Sequence, residues 1–326
     1  MARIVIAGAG AIGCLTGGLL ARGGHQVTLL GRVRVLDAVR AQGLTVTDFS
    51  GLSVRLDAAD LGLSENQACL AEAELVIVTV KTTATEEIAK QIASHAPPHA
   101  PVLSWQNGIG NAEVLRAGLP KRDIRAGMVP FNVVPQAEGR YHRATSGDIV
   151  IEAGPGGLGQ QLTVPDLRVT ESDQIEAIQW GKLLINLNNA LNALSGLTLQ
   201  AQLLDRNWRH LMADQMAEAL AVLKAAGIAS ESTTPLPTWM LPHVLRLPTP
   251  LFSRIAARML IIDPHARTSM AYDLMAGRVT EIGTLQGEII ALGQSHNRPT
   301  PLCQKVAGLI RSAPEVPLTP DQIRAA

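Results

Sequence analysis

The chain has 326 residues, a length typical of two domains, and it carries 28 lysines and arginines against 28 aspartates and glutamates. Apolar residues make up 47% of the sequence and charged residues 17%, which excludes a disordered or fibrous chain. Because the net charge is zero, the sequence lacks the excess of cations that binding to a phosphate backbone requires. We therefore expect no nucleic-acid partner.

The three cysteines, Cys14, Cys69 and Cys303, are far apart, and their spacing fits no metal site. We expect them to be small buried hydrophobic residues in a reducing compartment, and we expect no bound metal. The apolar stretch over residues 75–80 is far shorter than the ~20 residues that a membrane-spanning helix needs. Since no signal peptide is visible either, we expect a cytoplasmic protein without a membrane partner.

The first half of the chain alternates short runs rich in valine, isoleucine and leucine with helical patterns, which predicts an α/β fold with a parallel sheet. The predicted strands are 3–7, 26–30, 74–81 and 101–105, and the predicted helices are 11–22, 33–41 and 85–94. From residue 124 to 153 the pattern changes to short strands separated by turns, which predicts an antiparallel extension of the same sheet.

Beyond the glycine-rich stretch 154–157 the strand pattern stops, and from about residue 172 nearly every segment has a helical pattern. We predict a domain boundary near residue 170, with an α/β domain over 1–170 and an all-helical domain over 171–326. The first helix of the second half is predicted over 174–194, and prolines between 235 and 250 predict an ordered surface loop. Five apolar residues are expected to form the buried side of that helix: Trp180, Leu183, Leu184, Leu187 and Leu191.

A glycine-rich turn, Gly8-Ala9-Gly10-Ala11-Ile12-Gly13, follows the first strand and opens the first helix. In that position Gly8 permits a tight turn, Gly10 lets the backbone approach a pyrophosphate, and Gly13 lets helix and strand pack closely. The start of the helix, with Ala11 and Ile12, offers free N–H groups to an anion. The turn predicts a dinucleotide site, and an ordinary strand-to-helix turn is the alternative.

The second strand ends in Leu30-Gly31-Arg32-Val33-Arg34. Enzymes that bind NAD usually carry a carboxylate there, which accepts a hydrogen bond from the ribose 2′-hydroxyl. This chain has Gly31 instead, and the guanidinium of Arg32 could bind a 2′-phosphate. The segment therefore favours NADP(H), although Arg32 and Arg34 could also be solvated loop charges.

Two polar groups follow other predicted strands, at the edge where ligands of such sheets bind. Lys81 ends the strand predicted over 74–81, after Val78-Thr79-Val80, and Gln106-Asn107-Gly108 follows the strand over 101–105. Lys81 and Asn107 are therefore candidate binding residues. Either could equally be an ordinary loop residue, because Asn-Gly is common in turns.

The helix predicted over 174–194 carries a polar stripe. At about 100° per residue, Asn186 lies about 40° from Lys182, and Asn189 lies about 20° away on the other side. Long apolar residues flank the stripe, and such surroundings lower the pKa of a lysine and suit it to donate a proton. A solvated helix face is the alternative. Later in the chain, Ser269 and Glu281 are further polar candidates, and Glu281 is expected in the first turn of a helix, where the helix dipole alone would favour it.

Taken in order, these residues resemble the ketopantoate reductase family, the 2-dehydropantoate 2-reductases, over nearly the whole chain. The matching segments are the glycine-rich turn, Lys81, Asn107-Gly108, Lys182 with Asn186, Ser269 and Thr280-Glu281-Ile282. The resemblance implies a Rossmann-type doubly wound domain, then an all-helical domain, with the active site in the cleft between them. It also implies NADPH-dependent reduction of ketopantoate to pantoate, on the route to pantothenate and coenzyme A.

The resemblance also implies roles for single residues. Lys182 would be the general acid that protonates the carbonyl oxygen, with Glu281 beside both Lys182 and the cofactor. Asn186 and Ser269 would hold the hydroxyl and carboxylate of the substrate, with Asn189 as a further substrate contact.

On the cofactor side, the resemblance places Asn107 between the nicotinamide and the substrate. It places Lys81 and Arg32 near the cofactor.

The sequence departs from the family pattern at two places. After Glu281 the family usually has an aspartate, an aromatic residue and an Asn-Gly pair, whereas this chain has Gly283, Thr284 and Gln286. A helix asparagine expected near position 190 is Ala190 here, with Asn189 one residue earlier. These departures leave open a relative that acts on another 2-keto or 2-hydroxy acid. A catalytically silent NADP-binding sensor is a further alternative, and a homodimer is left open.

Overall fold

A computed structural model describes residues 1–260, 263–312 and 317–326. The chain divides into two compact units, Met1–Ile175 and Glu176–Ala326. The first unit contains the strands that the described residues form, and the second unit is helical over its described residues. The predicted fold class, an α/β part followed by a helical part, is confirmed.

Strands occur only in the first unit, as far as the described residues show. In chain order they are β1 (Arg3–Ala7), β2 (Gln26–Leu30), β3 (Leu44–Asp48), β4 (Ser53–Leu56), β5 (Gly62–Ser64), β6 (Leu75–Val78), β7 (Val102–Ser104), β8 (Ile124–Met128), β9 (Val133–Ala137), β10 (Arg140–Arg143), β11 (Ile149–Glu152) and β12 (Val169–Ser172). The larger sheet has the order β12-β11-β8-β7-β6-β1-β2-β5. Since β1 pairs in parallel with both β2 and β6, and β6 with β7, the carboxyl ends of these strands meet at one edge.

The prediction for residues 124–153 is only partly correct. β11 does extend the larger sheet by antiparallel pairing with β8. In contrast, β9 and β10 join β3 and β4 in a second sheet of order β4-β3-β10-β9, and β12 adds a strand after the point where the strand pattern was expected to stop. Alternating apolar residues predict a strand but do not identify its partner, which here lies far away in the chain.

Helices cover the sheets and form the second unit. Over the described residues they are α1 (Ala11–Arg22), α2 (Val33–Gln42), α3 (Thr85–His95), α4 (Asn111–Gly118), α5 (Leu158–Leu162), α6 (Ile175–Asn186), α7 (Asn188–Ser195), α8 (Leu199–Leu204), α9 (Arg206–Ala225), α10 (Leu241–Leu245), α11 (Thr249–Ile255), α12 (Ser269–Met275), α13 (Gln286–Ser295), α14 (Pro301–Ser312) and α15 (Pro320–Ala325). The helix predicted over 174–194 is present as two consecutive helices, α6 and α7, with a local interruption at Leu187. The five apolar residues expected on its buried side are buried, as predicted.

The proline-rich segment, expected to be an ordered loop, contains the short helices α10 and α11. Pro242 and Pro250 lie in the first turns of α10 and α11, where the missing N–H of proline is not needed. This segment packs around Arg209 of α9, whose side chain is buried and whose guanidinium carbon lies 4.3 Å from the centre of the Phe252 ring. The guanidinium donates hydrogen bonds to the carbonyls of Leu203, Leu204, Leu245 and Leu247 and to the hydroxyl of Thr249.

Cys14 and Cys303 are buried, and Cys69 is partly buried. Burial raises the pKa of the Cys14 thiol to about 12, so this group stays protonated at neutral pH. Among the described residues, no helix is long and apolar enough to cross a bilayer. In the same part of the chain, no three histidine, cysteine, aspartate or glutamate side chains gather where they could hold a metal ion.

Candidate functional site

The glycine-rich turn between β1 and α1 is packed tightly on one side and open on the other. Gly8 has a φ of +124°, and a Cβ atom there would lie 2.6 Å from the backbone nitrogen of Val80. A Cβ on Gly13 would lie 2.2 Å from the carbonyl oxygen of Gly8, whereas a Cβ on Gly10 would meet nothing within 4 Å. Gly8 and Gly13 therefore have the packing roles that the sequence predicted, and the space beside Gly10 fits the approach of a pyrophosphate.

A residue that the sequence argument missed holds this turn in place. The hydroxyl of Thr79, just after β6, donates a 2.6 Å hydrogen bond to the carbonyl oxygen of Gly8. The glycine-rich turn is thereby tied to the segment that leads to Lys81. A hydroxyl residue at the end of the strand next to β1 was the only signal in the sequence, and such residues are common.

The end of β2 is bonded directly to the glycine-rich turn. The carbonyl oxygen of Leu30 accepts hydrogen bonds from the N–H groups of Gly8 and Ala9, both at 3.0 Å. A Cβ on Gly31 would lie 2.3 Å from the Cβ of Ala9, so packing alone excludes a carboxylate at this position. Arg32 follows at the start of α2 with an exposed side chain. Of the groups that the sequence offered for reading the ribose, the exposed cation of Arg32 therefore stays the candidate.

Lys81 and Asn107 lie on neighbouring loops at the same edge of the sheet. They follow β6 and β7, which pair in parallel, and both residues are exposed. The hydroxyl of Thr82 donates a 3.3 Å hydrogen bond to the carbonyl oxygen of Asn107 and so joins the two loops. The structure thus brings Lys81 and Asn107 to one edge, as the strand order predicted.

A buried hydrogen-bond network fixes the Asn107 loop. The Gln106 amide accepts from the Ser104 hydroxyl at 3.0 Å and donates to the Thr85 hydroxyl at 2.7 Å. Asn111 accepts from Thr85 at 3.0 Å and donates to the carbonyl of Asn107 at 2.8 Å. Because Gln106, Thr85, Ser104 and Asn111 are all buried, these bonds hold the backbone of Asn107 firmly. Of these four residues, only Gln106 belonged to a polar group that the sequence analysis singled out.

In the helical unit, α6 carries Lys182 and, one turn later, Asn186. Lys182 is partly buried and Asn186 is buried. Burial lowers the pKa of the Lys182 ammonium to about 8, because a charged group loses hydration there. The expected direction of this pKa shift is confirmed. A lysine with such a pKa is still mostly protonated at neutral pH and gives up its proton readily, which suits a general acid.

Gly181 lets another segment of the chain pack against α6. A Cβ on Gly181 would lie 1.7 Å from the carbonyl oxygen of Glu231, so no other residue fits there. The N–H of Glu231 in turn donates a 2.8 Å hydrogen bond to the carbonyl of Ala177. The backbone of Glu231 therefore lies directly against α6 at Gly181 and Ala177.

Asn189 does not share a continuous helix with Lys182, because the helix is interrupted at Leu187. Leu187 itself keeps right-handed helical dihedral angles, and its N–H donates a 3.0 Å hydrogen bond to the carbonyl of Leu183, so the interruption is local. The side chain of Gln286, which is fully buried, donates a 2.9 Å hydrogen bond to the carbonyl of Leu187 at the interruption.

Ser269 is the first residue of α12 and has an exposed side chain. The residue before it, Thr268, donates its hydroxyl to the carbonyl of Asn189 at 3.1 Å. The structure therefore brings the start of α12, with Ser269, to the helix that carries Asn189.

The expectation that Glu281 lies in the first turn of a helix is wrong. Glu281 precedes a short 3₁₀ turn, Ile282–Thr284, and α13 begins only at Gln286. The carbonyl of Glu281 accepts hydrogen bonds from both the N–H and the hydroxyl of Thr284, at 3.1 and 3.0 Å. A threonine side chain that bonds the local backbone in this way competes with a regular helix, which explains the delayed start.

Comparison with known proteins gives matches over almost the whole chain. The family model described as ketopantoate reductase PanE/ApbA matches residues 4–156, and the model of the C-terminal part of the same family matches residues 174–313. A 2-dehydropantoate 2-reductase of Halobacterium salinarum is 27% identical over 321 residues, covering 95% of this chain and 98% of that protein.

Solved structures of similar fold agree with these matches. A PanE/ApbA family ketopantoate reductase from Ralstonia eutropha JMP134 has 29% sequence identity and a TM-score of 0.80, with 99% of each chain covered. A D-mandelate dehydrogenase, solved in complex with NADH, shares the fold with a TM-score of 0.75 at 21% identity, covering 95% of this chain and 98% of that one.

Proposed function

The chain belongs to the ketopantoate reductase family, and from this premise we propose that it reduces ketopantoate to pantoate with NADPH. The observation that carries the proposal is the environment of Lys182. A partly buried lysine with a pKa of about 8 lies one helical turn from a buried asparagine, which is an arrangement suited to hold a carbonyl group and protonate it. We assign cofactor binding to the first unit, with the predicted boundary at residue 170, and substrate binding and proton donation to the second.

The residues of the first unit fit the proposed cofactor. The open space beside Gly10 and the first N–H groups of α1, at Ala11 and Ile12, would receive the pyrophosphate. Arg32 would bind the 2′-phosphate, which NADP(H) has and NAD(H) lacks. NADPH bound at this edge would supply the hydride.

Lys81 and Asn107 complete the proposed cofactor site. Both lie at the carboxyl ends of the strands that follow β1 in the sheet, which is where nicotinamide dinucleotides bind in such folds. Asn107 is also proposed to touch the substrate, since its backbone is fixed by the buried network around Gln106.

The residues of the second unit would bind the substrate and handle the proton. When hydride reaches a ketone carbon, negative charge develops on the oxygen, and the Lys182 ammonium would stabilise that charge and deliver the proton. Asn186 and Ser269 would hold the hydroxyl and the carboxylate, with Asn189 as a further contact. Glu281 would keep Lys182 in place and also contact the cofactor.

A second candidate is a reductase or dehydrogenase for another 2-keto or 2-hydroxy acid. The fully buried Ala190 favours it, because it belongs to an apolar cluster with Met270, Ile282 and Leu285 and offers no amide to a polar substrate group. The fold shared with a D-mandelate dehydrogenase is consistent with this alternative. A catalytically silent NADP-binding sensor is disfavoured, since a sensor would not need a lysine with a lowered pKa.

The deciding experiment measures loss of NADPH absorbance with purified protein and a panel of 2-ketoacids. We expect the highest kcat/KM for ketopantoate. A higher kcat/KM for a ketoacid with an aromatic side chain, such as phenylglyoxylate, would favour the second candidate. Tight NADPH binding without turnover of any ketoacid would support the sensor.

Two further properties need separate measurements. Light scattering on the purified protein tests whether it forms a homodimer. Fractionation of cells tests the proposed cytoplasmic location.

A further inference from the structure

Thr268 lies directly before Ser269 and makes two hydrogen bonds to α7. Its N–H donates to the side-chain oxygen of Asn192 at 3.0 Å, and its hydroxyl donates to the carbonyl of Asn189 at 3.1 Å. We propose that Thr268 and Asn192 are positioning residues, which hold Ser269 beside Asn189 so that the serine can bind substrate. This inference rests on the proposed function, because it takes Ser269 as a substrate contact.

The hydroxyl of Thr268 is fully used by the fold. Besides donating to Asn189, it accepts a 3.4 Å hydrogen bond from the N–H of Ala271 and so caps the start of α12. Thr268 is 2% exposed, whereas Ser269 is exposed. One buried residue therefore fixes the start of α12 on α7 and leaves the next residue open to a ligand.

Asn192 is held in turn by a buried network of amides. It is fully buried, and its side-chain nitrogen donates to the Gln202 side chain at 3.1 Å and to the carbonyl of Leu197 at 3.2 Å. Gln202 also exchanges two 3.1 Å hydrogen bonds with the side chain of Asn188. If the Asn192 amide were turned over, its nitrogen would face the N–H of Thr268, so these partners fix its orientation.

Apolar contacts already join α7 to α12, since Ala190 and Leu191 lie in one buried cluster with Met270. Apolar residues could join the two helices at lower cost, since a buried amide is destabilising unless every partner is in place. Hydrogen bonds are directional, whereas apolar contacts are not. The network therefore restricts both the sliding of α12 along its axis and its rotation about that axis. Such direction matters for Ser269, since a substrate contact loses strength when its donor moves by a fraction of an ångström.

The test compares Thr268→Val with a control variant, Thr319→Val, which also removes a threonine hydroxyl that caps a helix. Thr319 caps α15 in the same unit, where its hydroxyl accepts a 3.3 Å hydrogen bond from the N–H of Gln322. Among the described residues, Thr319 makes no hydrogen bond to α7. We expect Thr268→Val to raise the KM for the ketoacid about three- to tenfold, the effect of one lost hydrogen bond, with NADPH affinity unchanged. Thr319→Val should lower Tm without changing KM, and Thr268→Ser should retain wild-type KM.

A double-mutant cycle that combines Thr268→Val with Ser269→Ala separates this inference from the proposed function. If Thr268 acts through Ser269, Thr268→Val should change KM little in the Ser269→Ala background. An unchanged KM in Ser269→Ala itself would contradict the proposed role of Ser269. A raised KM in Ser269→Ala, but wild-type KM in Thr268→Val or an equal rise in Thr319→Val, would overturn the positioning role alone. Should Thr268→Val fail to fold, Thr268→Ala tests the same hydroxyl against the same controls.

Discussion

The two units place their candidate residues by different means. In the first unit, Arg32, Lys81 and Asn107 reach one edge because they follow parallel strands, so the order of the strands decides their position. In the second unit, Thr268 bonds the start of α12, with Ser269, to the side chain of Asn192 and the carbonyl of Asn189 on α7, next to an apolar cluster that the two helices share. The comparison teaches that a sheet positions residues by its backbone, whereas this helical unit needs particular side chains to do so.

Replacing Lys182 should give the largest effect and tests the helical unit directly. Lys182→Ala should lower kcat by about 10²- to 10⁴-fold, the usual loss when a general acid is removed. NADPH affinity and Tm should change little, since burial already disfavours the charged form of this lysine. Lys182→Gln should recover little, because an amide donates a hydrogen bond but carries neither the charge nor a transferable proton. Turnover of Lys182→Ala within threefold of wild type would move the acid to another residue.

The next effect concerns the substrate contacts of the same unit. Ser269→Ala and Asn186→Ala should each weaken ketoacid binding about ten- to a hundredfold, because each removes a hydrogen bond to a charged or desolvated group. NADPH affinity, measured by fluorescence titration, serves as the control and should stay nearly unchanged. Wild-type kinetics in either variant would remove that residue from the substrate site.

In the first unit, the cofactor preference should depend on one exposed side chain. Arg32→Ala should raise the KM for NADPH about tenfold and leave the KM for NADH nearly unchanged, because only NADPH has the 2′-phosphate. Steady-state kinetics with both cofactors measure this difference. An equal loss with both would show that Arg32 does not read the 2′-phosphate.

Two glycines of the same turn should respond in opposite ways. Gly13→Ala would put a methyl group 2.2 Å from the carbonyl oxygen of Gly8, and we expect the free energy of unfolding to fall by about 1 to 3 kcal/mol. Gly10→Ala has open space around the new methyl group, so it should leave stability unchanged and weaken NADPH binding. Denaturant titration and NADPH titration of both variants check this pair. A large loss of stability in Gly10→Ala would contradict the open space beside Gly10.

The smallest effect is a pH dependence. With a Lys182 pKa of about 8, kcat/KM should be level below that pH and fall towards tenfold per pH unit above it, as the acid loses its proton. Since burial lowers this pKa in the folded state, the unfolded chain binds the extra proton between about pH 8 and 10.5. Stability from this group should therefore rise through that window. Lys182→Ala should abolish both trends, and a level rate profile up to pH 10 would contradict the assignment.

The sequence predicted much of the first unit. The bounds of β1, β2 and α1 match the structure, because short apolar runs and a glycine-rich turn determine these elements locally. The polar residues at strand ends followed from the same reasoning. The resemblance to the ketopantoate reductase family, inferred from ordered motifs, is confirmed by the family models.

The features that the sequence could not predict depend on partners far away in the chain. The second sheet joins β3 to β10, and Thr268 bonds Asn192 across 76 positions of sequence. The interruption at Leu187 involves Gln286, 99 positions later. Local patterns carry no record of such pairings, which is why the helix was expected to continue and why Asn192 and Gln202 were not recognised. The binding roles of the individual residues stay predictions until the variants are measured.

The buried Arg209 has a consequence for the order in which the helical unit can form. Its cation has no stable place in the interior until the acceptors around it are present, and these lie partly before it, at Leu203 and Leu204, and partly after it, up to Thr249. On the ribosome, α9 is made about forty residues before the last of these acceptors. Arg209 must therefore remain hydrated, with α9 incompletely packed, until α11 has emerged. The helical unit cannot complete this part of its core from the N-terminal side, and a nascent chain that stops before Thr249 should expose α9 to proteases and chaperones.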